Sequence, residues 1–260
     1  MSKTLLLSFI ALWSLTAAAF GQSASGKSFV QSASEERLFQ VTVYSAKPEL
    51  WSDALRFIKD EVVPANLKGG RKHMEVWTSV FGQSYETWFI LPLENFAALD
   101  KGDDILLKGL GSNEAVAAFW KKARSLNNNV RQFVIRVRPE LSYIKADALT
   151  PKLAVVSKYD IATTRTPEYE SYVKNDALPV VKKSGRIGEL RATIVFGEGS
   201  ANVLNFAPQE SFANLDKGNA LRQVLDVDAV RKLQAKLQGV LTRAETTVLL
   251  FRPDLSILPK

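Results

Sequence analysis

The only histidine in the chain, His73, stands in "KHMEVWTSVFG" (Lys72–Gly82), where polar and aromatic residues alternate with apolar ones. On a strand, His73, Glu75, Trp77 and Ser79 share one face. An imidazole beside a carboxylate is the raw material of a general base or a ligand contact. Tyr85 and Trp88, in the stretch that follows, add aromatic wall. The competing reading is a histidine satisfied locally at a strand start, and the matching later position is Gly188. One histidine and no cysteine argue against a closed zinc site, and no metal or cofactor is expected.

A second set lies further on. Glu189, Arg191 and Thr193 alternate along one strand face. Such a pair either binds a polar ligand or forms a salt bridge. The basic corners "KGGRK" (Lys68–Lys72) and "KKSGR" (Lys182–Arg186) follow the first helix of each half. They read either as anion-binding turns or as helix ends, with lysines against the dipole and glycine in the left-handed position. There is no phosphate-cradling glycine loop and no Gly-x-Ser-x-Gly elbow. No catalytic residue is assigned.

The elements that must position these residues are written twice. "FAALDKG" (Phe96–Gly102) returns as "FANLDKG" (Phe212–Gly218), "VFG" at Val80 returns at Val195, and "VRPELSYI" at Val137 returns as "FRPDLSIL" at Phe251. The offsets stay at 114–116 in the same order, which marks a duplicated module and not a short-period solenoid. Within one copy the pattern predicts a strand over 37–45, a helix from Pro48 that Pro64 ends or kinks, and a hairpin over 72–92. A short helix on the repeated heptapeptide, a helix over 112–126 and a strand over 130–138 complete it. In that short helix Asn95 and Ser211 serve as caps, Gly102 and Gly218 as left-handed ends, and Asp100 and Asp216 have no assigned role.

The resulting order, β-α-β-β-α-β twice, is ferredoxin-like and of the α+β class. Modules span 37–144 and 153–260, joined by a linker at 145–152. Helices cover one sheet face, so the other faces must cover each other. The tandem resembles the dimeric α/β-barrel superfamily, which includes NIPSNAP-like proteins and antibiotic-biosynthesis-type monooxygenases. The resemblance implies an intrachain barrel, and it brings no catalytic signature with it.

Ahead of the modules, "MSKTLLLSFIALWSLTAAAFGQ" has Lys3, an apolar run and then small residues, the layout of a secretory signal peptide over 1–21. The Ser-rich stretch 22–36 reads as a flexible leader. The expectation is a secreted or periplasmic protein, free of the membrane after cleavage and able to act as a monomer. Formal charge is +7, but the basic residues are scattered among acids, so nucleic acid is not an expected partner. The leading reading is a barrel that binds a small apolar or amphipathic molecule through His73, Glu75, Trp77, Tyr85, Trp88, Glu189 and Arg191. The alternatives are a cofactor-independent monooxygenase-like or haem-degrading enzyme, and a structural protein with a filled barrel.

Overall fold

A computed structural model describes residues 28–146, 151–197 and 202–259. The expected signal peptide, residues 22–27 of the leader and the middle of the linker lie outside the described residues.

The first module runs β1 (Leu38–Ala46), α1 (Trp51–Phe57), α2 (Val63–Lys68), β2 (Glu75–Phe81), β3 (Glu86–Leu93), α3 (Gly102–Leu110), α4 (Asn113–Leu126) and β4 (Asn127–Val137). A two-residue strand, β5 (Tyr143–Ile144), leads into the second. That module runs β6 (Leu153–Ile161), α5 (Thr166–Tyr172), α6 (Leu178–Lys183), β7 (Gly188–Phe196) and β8 (Asn202–Gln209). Three helices, α7 (Ala213–Asp216), α8 (Ala220–Val224) and α9 (Val227–Ala235), and then β9 (Leu241–Phe251) close it. Each half therefore has the expected β-α-β-β-α-β order. Neither Pro64 nor Pro179 ends its helix. A π-helical stretch just before each (Ile58–Val62 and Val173–Ala177) lets the helix continue past the proline to Lys68 and Lys183. A wider turn is the local adjustment that a proline's missing N–H and bulky ring demand.

The sheets are antiparallel, ordered β4-β1-β3-β2 and β9-β6-β8-β7, and β2–β9 and β4–β7 pairing closes them into an eight-stranded barrel. Alternation does the sorting. Phe39, Val41 and Val43 of β1, Trp77, Trp88, Ile90, Ile135, Leu190, Ala192, Leu204, Phe206 and Leu249 all turn inward into one buried cluster. Gln40, Thr42 and Tyr44 face the first module's helices.

Two corrections concern the barrel and the repeat. Over residues 28–36 the expected leader is not flexible. Val30–Ser34 forms a 3₁₀ turn, and Phe29, Val30 and Ser32 are at most 1% exposed. The Phe29 ring meets Phe39 at 4.9 Å and Phe206 at 5.1 Å, both edge-on. A Ser-rich composition hid one phenylalanine that plugs the barrel.

The repeated heptapeptide also does more than cap a helix. Phe96 packs on Phe196 at 5.2 Å and Phe212 on Phe81 at 6.3 Å, so each heptapeptide meets the "VFG" hairpin tip of the other module. Asn95 accepts from the Ala98 N–H as expected, and Gly218 has φ +70°, but the first helix runs on through Gly102 into α3.

The third repeat, "RPELS" and "RPDLS", is likewise an exchanged clamp. Arg138 N–H donates to Arg191 O and Arg252 N–H to Val76 O, both at 2.8–2.9 Å. Leu141 is buried in the second module's helix-side core, and Leu255 in the first's.

Candidate functional site

His73, Glu75 and Trp77 do meet, as their alternation requires. Glu75, 1% exposed, accepts from Phe29 N–H at 2.6 Å and Trp77 Nε1–H at 3.3 Å, and lies 3.2 Å from His73 Nε2. Glu75 and Trp77 are buried in the barrel beside the amino-terminal plug. Trp77 contacts Phe206 and Phe251 at 5.1 and 4.9 Å. Trp88 is its cross-strand partner, and its indole N–H donates to the buried Glu86 at 3.0 Å. Tyr85 is elsewhere, on the outer surface at the hairpin turn, with φ +60° and its ring against Trp51.

Glu189 and Arg191 are not inside the barrel, nor on a solvated face. They lie between the second module's sheet and its helices. Arg191, 5% exposed, pairs with Glu189 and donates to Leu141 O at 2.8 Å. Burial opposes its charge, but Glu189 and the flanking Tyr169 and Tyr159 outweigh that and raise its pKa. Tyr169 itself is pushed up to about 12, chiefly by burial.

The corresponding space in the first module is open. A cavity of about 510 Å³ lies between the outer face of its sheet and α1, α2, α3 and α4. This is within the usual range for small-molecule sites. Two strand rows form its floor. Gln132, Thr42 and Phe89 stand side by side across β4, β1 and β3, and Val134, Gln40 and Leu91 make the next row. Gln132 Nε2–H donates to Thr42 Oγ1 at 3.4 Å, and Tyr44 stands edge-on to Phe89 at 5.6 Å. Burial raises the Tyr44 pKa. The roof is Ala54, Phe57, Ile58, Leu106, Phe119 and Trp120. Phe196 and Gly197 of the other module close one side, and Leu99 and Asp100 of the heptapeptide border it too.

Two aligned positions bear on this difference, Ala54 in the cavity wall and Val76 outside it. At the common offset of 115, Ala54 matches Tyr169 and Val76 matches Arg191. In the second module a phenol and a guanidinium are buried at these positions, and in the first Ala54 borders the cavity. That comparison of copies is the signal that could have located the cavity from sequence. Alternation alone pointed to the wrong sheet face.

One charged side chain enters the cavity from the "KGGRK" corner. Gly70 has φ +93°, and a Cβ on Gly69 would sit 2.1 Å from Ile105 O, so both glycines are needed to make this turn. The turn brings Arg71 N–H to Asn66 O at 2.9 Å and Arg71 Nε–H to Asn66 Oδ1 at 2.6 Å. Asn66 is fixed in turn by donating to Val62 O at 2.8 Å. Burial lowers the Arg71 pKa.

Among the described residues, no group of three or more His, Cys, Asp or Glu side chains could hold a metal, and no helix is long and apolar enough to cross a membrane.

Solved structures share this architecture at low identity. An anthrone oxidase-like protein superposes with TM-score 0.56 at 14% identity, covering 85% of this chain and 93% of its own. The chain has the dimeric α/β-barrel fold. A candidate monooxygenase from Lactobacillus acidophilus gives TM-score 0.53 at 10% identity, over 86% of this chain and 97% of its own. Chlorite dismutase from Candidatus Nitrospira defluvii, in complex with imidazole, gives 0.51 at 12%, over 86% and 95%. No protein-family model and no curated protein matches the chain.

Proposed function

We propose that the protein binds a small amphipathic molecule in the cavity of its first module, and that it does so after export. The cavity carries this reading: about 510 Å³ of space between polar strand residues and an aromatic roof, kept open by Ala54 where the second module has Tyr169. The barrel interior, where the alternation of His73, Glu75 and Trp77 suggested a site, is occupied by side chains and by Phe29. Its role in this reading is to hold the two sheets rigid. The amino-terminal layout supports export.

The test is native mass spectrometry on protein purified from its own host. A small molecule retained by the wild type should be lost in Ala54→Tyr, which imports the second module's residue. Retention by a folded Ala54→Tyr variant would move the ligand elsewhere.

A second reading, an oxygenase-type enzyme, draws on the printed names of structural neighbours that share only the fold with this chain. A haem-linked version of it needs an iron ligand. The cavity wall carries no histidine or cysteine, and the single His73 is turned into the barrel against Glu75. Activity or a haem absorbance band lost in His73→Ala would favour this second reading.

A further inference from the structure

We propose that the ligand of the first-module cavity is an apolar or aromatic carboxylate, and that Arg71 is the residue that selects it. The inference rests on the cavity reading above and adds the chemical class.

Comparison of the two copies supplies the reason. Both modules keep an arginine at the corner after the first helix, Arg71 and Arg186, 115 positions apart. In the second module Arg186 is consumed internally: a terminal N–H donates to Gln209 Oε1 at 3.2 Å and to Asn214 O at 3.5 Å. Gln209 is the strand residue opposite Leu153, the first residue of β6. The residue in that place in the first module, opposite Leu38, is Leu93, which accepts nothing. Arg71 therefore keeps only its Nε–H bond to Asn66 and forms no ion pair among the described residues. Its two terminal nitrogens keep their donors for another acceptor, and the cavity it lines is the space beside it.

A half-buried guanidinium without an acid costs free energy until an anion joins it. A planar carboxylate fits the fork, and a lysine at this place would offer only a point charge. The remaining walls, Phe57, Phe89, Phe119 and Trp120, ask for an apolar or aromatic body. Asp100 borders the cavity but is exposed and makes no ion pair with Arg71 among the described residues. It disfavours doubly charged anions and leaves the single carboxylate preferred.

The experiment is calorimetric titration of the full protein with 2-naphthoate and decanoate, each against its neutral amide. The wild type should bind the carboxylates at least tenfold more tightly than the amides. Arg71→Gln should remove that preference while changing amide affinity less than twofold, and Arg71→Lys should restore part of it. Equal affinity for acid and amide in the wild type overturns the carboxylate assignment and leaves the cavity reading standing. No binding of any of the four probes counts against the cavity reading itself. If Arg71→Gln does not fold, Arg71→Lys and the acid–amide ratio of the wild type still decide the matter. A ratio unaffected by Arg71→Lys would remove Arg71 from the role.

Discussion

Phe29→Ala should cost the protein a large share of its stability, although the residue belongs to a stretch that reads as leader. Phe29 is fully buried, with its ring edge-on to Phe39 and Phe206 at 4.9 and 5.1 Å. Truncating a buried phenylalanine costs about 3–5 kcal/mol, of which each edge-on ring pair contributes roughly 0.5–1.5. The upper part of that range applies, because the cavity lies in a closed barrel that cannot readily collapse. The main-chain N–H of Phe29 still satisfies Glu75, so no buried charge is orphaned by the change. With a urea slope of about 2–3 kcal/mol/M, the unfolding midpoint should fall by roughly 1.3–2.5 M at unchanged slope. Leu67→Ala, at a side chain 53% exposed, is the control and should stay within about 0.5 kcal/mol. A midpoint shift for Phe29→Ala as small as the control's would refute the plug and restore the flexible leader.

Other outcomes follow from the same contacts. Glu189→Gln strips the partner from the buried Arg191 and should destabilise by about 3 kcal/mol, with much of the loss recovered in the double variant Glu189→Gln/Arg191→Met; chemical denaturation checks both. Alkaline stability should depend on Tyr169. Its folded pKa of about 12 lies above the unfolded value near 10, so its stabilisation is complete below pH 10 and is lost as pH rises toward 12, by about 2–3 kcal/mol. Tyr169→Phe should flatten stability across that window, and an unchanged slope would count against its burial. Asp100→Asn should leave stability within about 0.5 kcal/mol, since the exposed side chain has no ion-pair partner among the described residues, and should tighten 2-naphthoate binding a few-fold.

Much of the fold was legible because duplication doubles the signal. Strand alternation and helical spacing, read twice at one offset, gave element order and the closed barrel. The two sheets must cover each other's apolar faces. The candidate site was misplaced for a specific physical reason. Alternation groups His73, Glu75 and Trp77 correctly, but it does not say whether their face is packed, and a single phenylalanine from outside the repeat packs it. Glu189 and Arg191 share a face as expected, yet on the helix side. The cavity is bordered by a residue that is small, Ala54, and a small residue carries no chemistry for a motif search to notice. The interlocking of Phe96 with Phe196 and of Phe212 with Phe81 joins motifs about 100 and 131 positions apart, so neither motif alone reveals it. Once the copies are aligned, Tyr169 opposite Ala54 and Gln209 opposite Leu93 become informative, because each names an atom group that one module has and the other lacks.

The most direct measurement is a crystal structure of the full protein grown with 2-naphthoate. The account predicts one ligand between the sheet of the first module and its helices, its carboxylate on the Arg71 guanidinium and its rings against Phe57, Phe89 and Trp120, with Phe29 still seated in the barrel. Ligand density inside the barrel in place of Phe29, or between the second module's sheet and its helices, would contradict it.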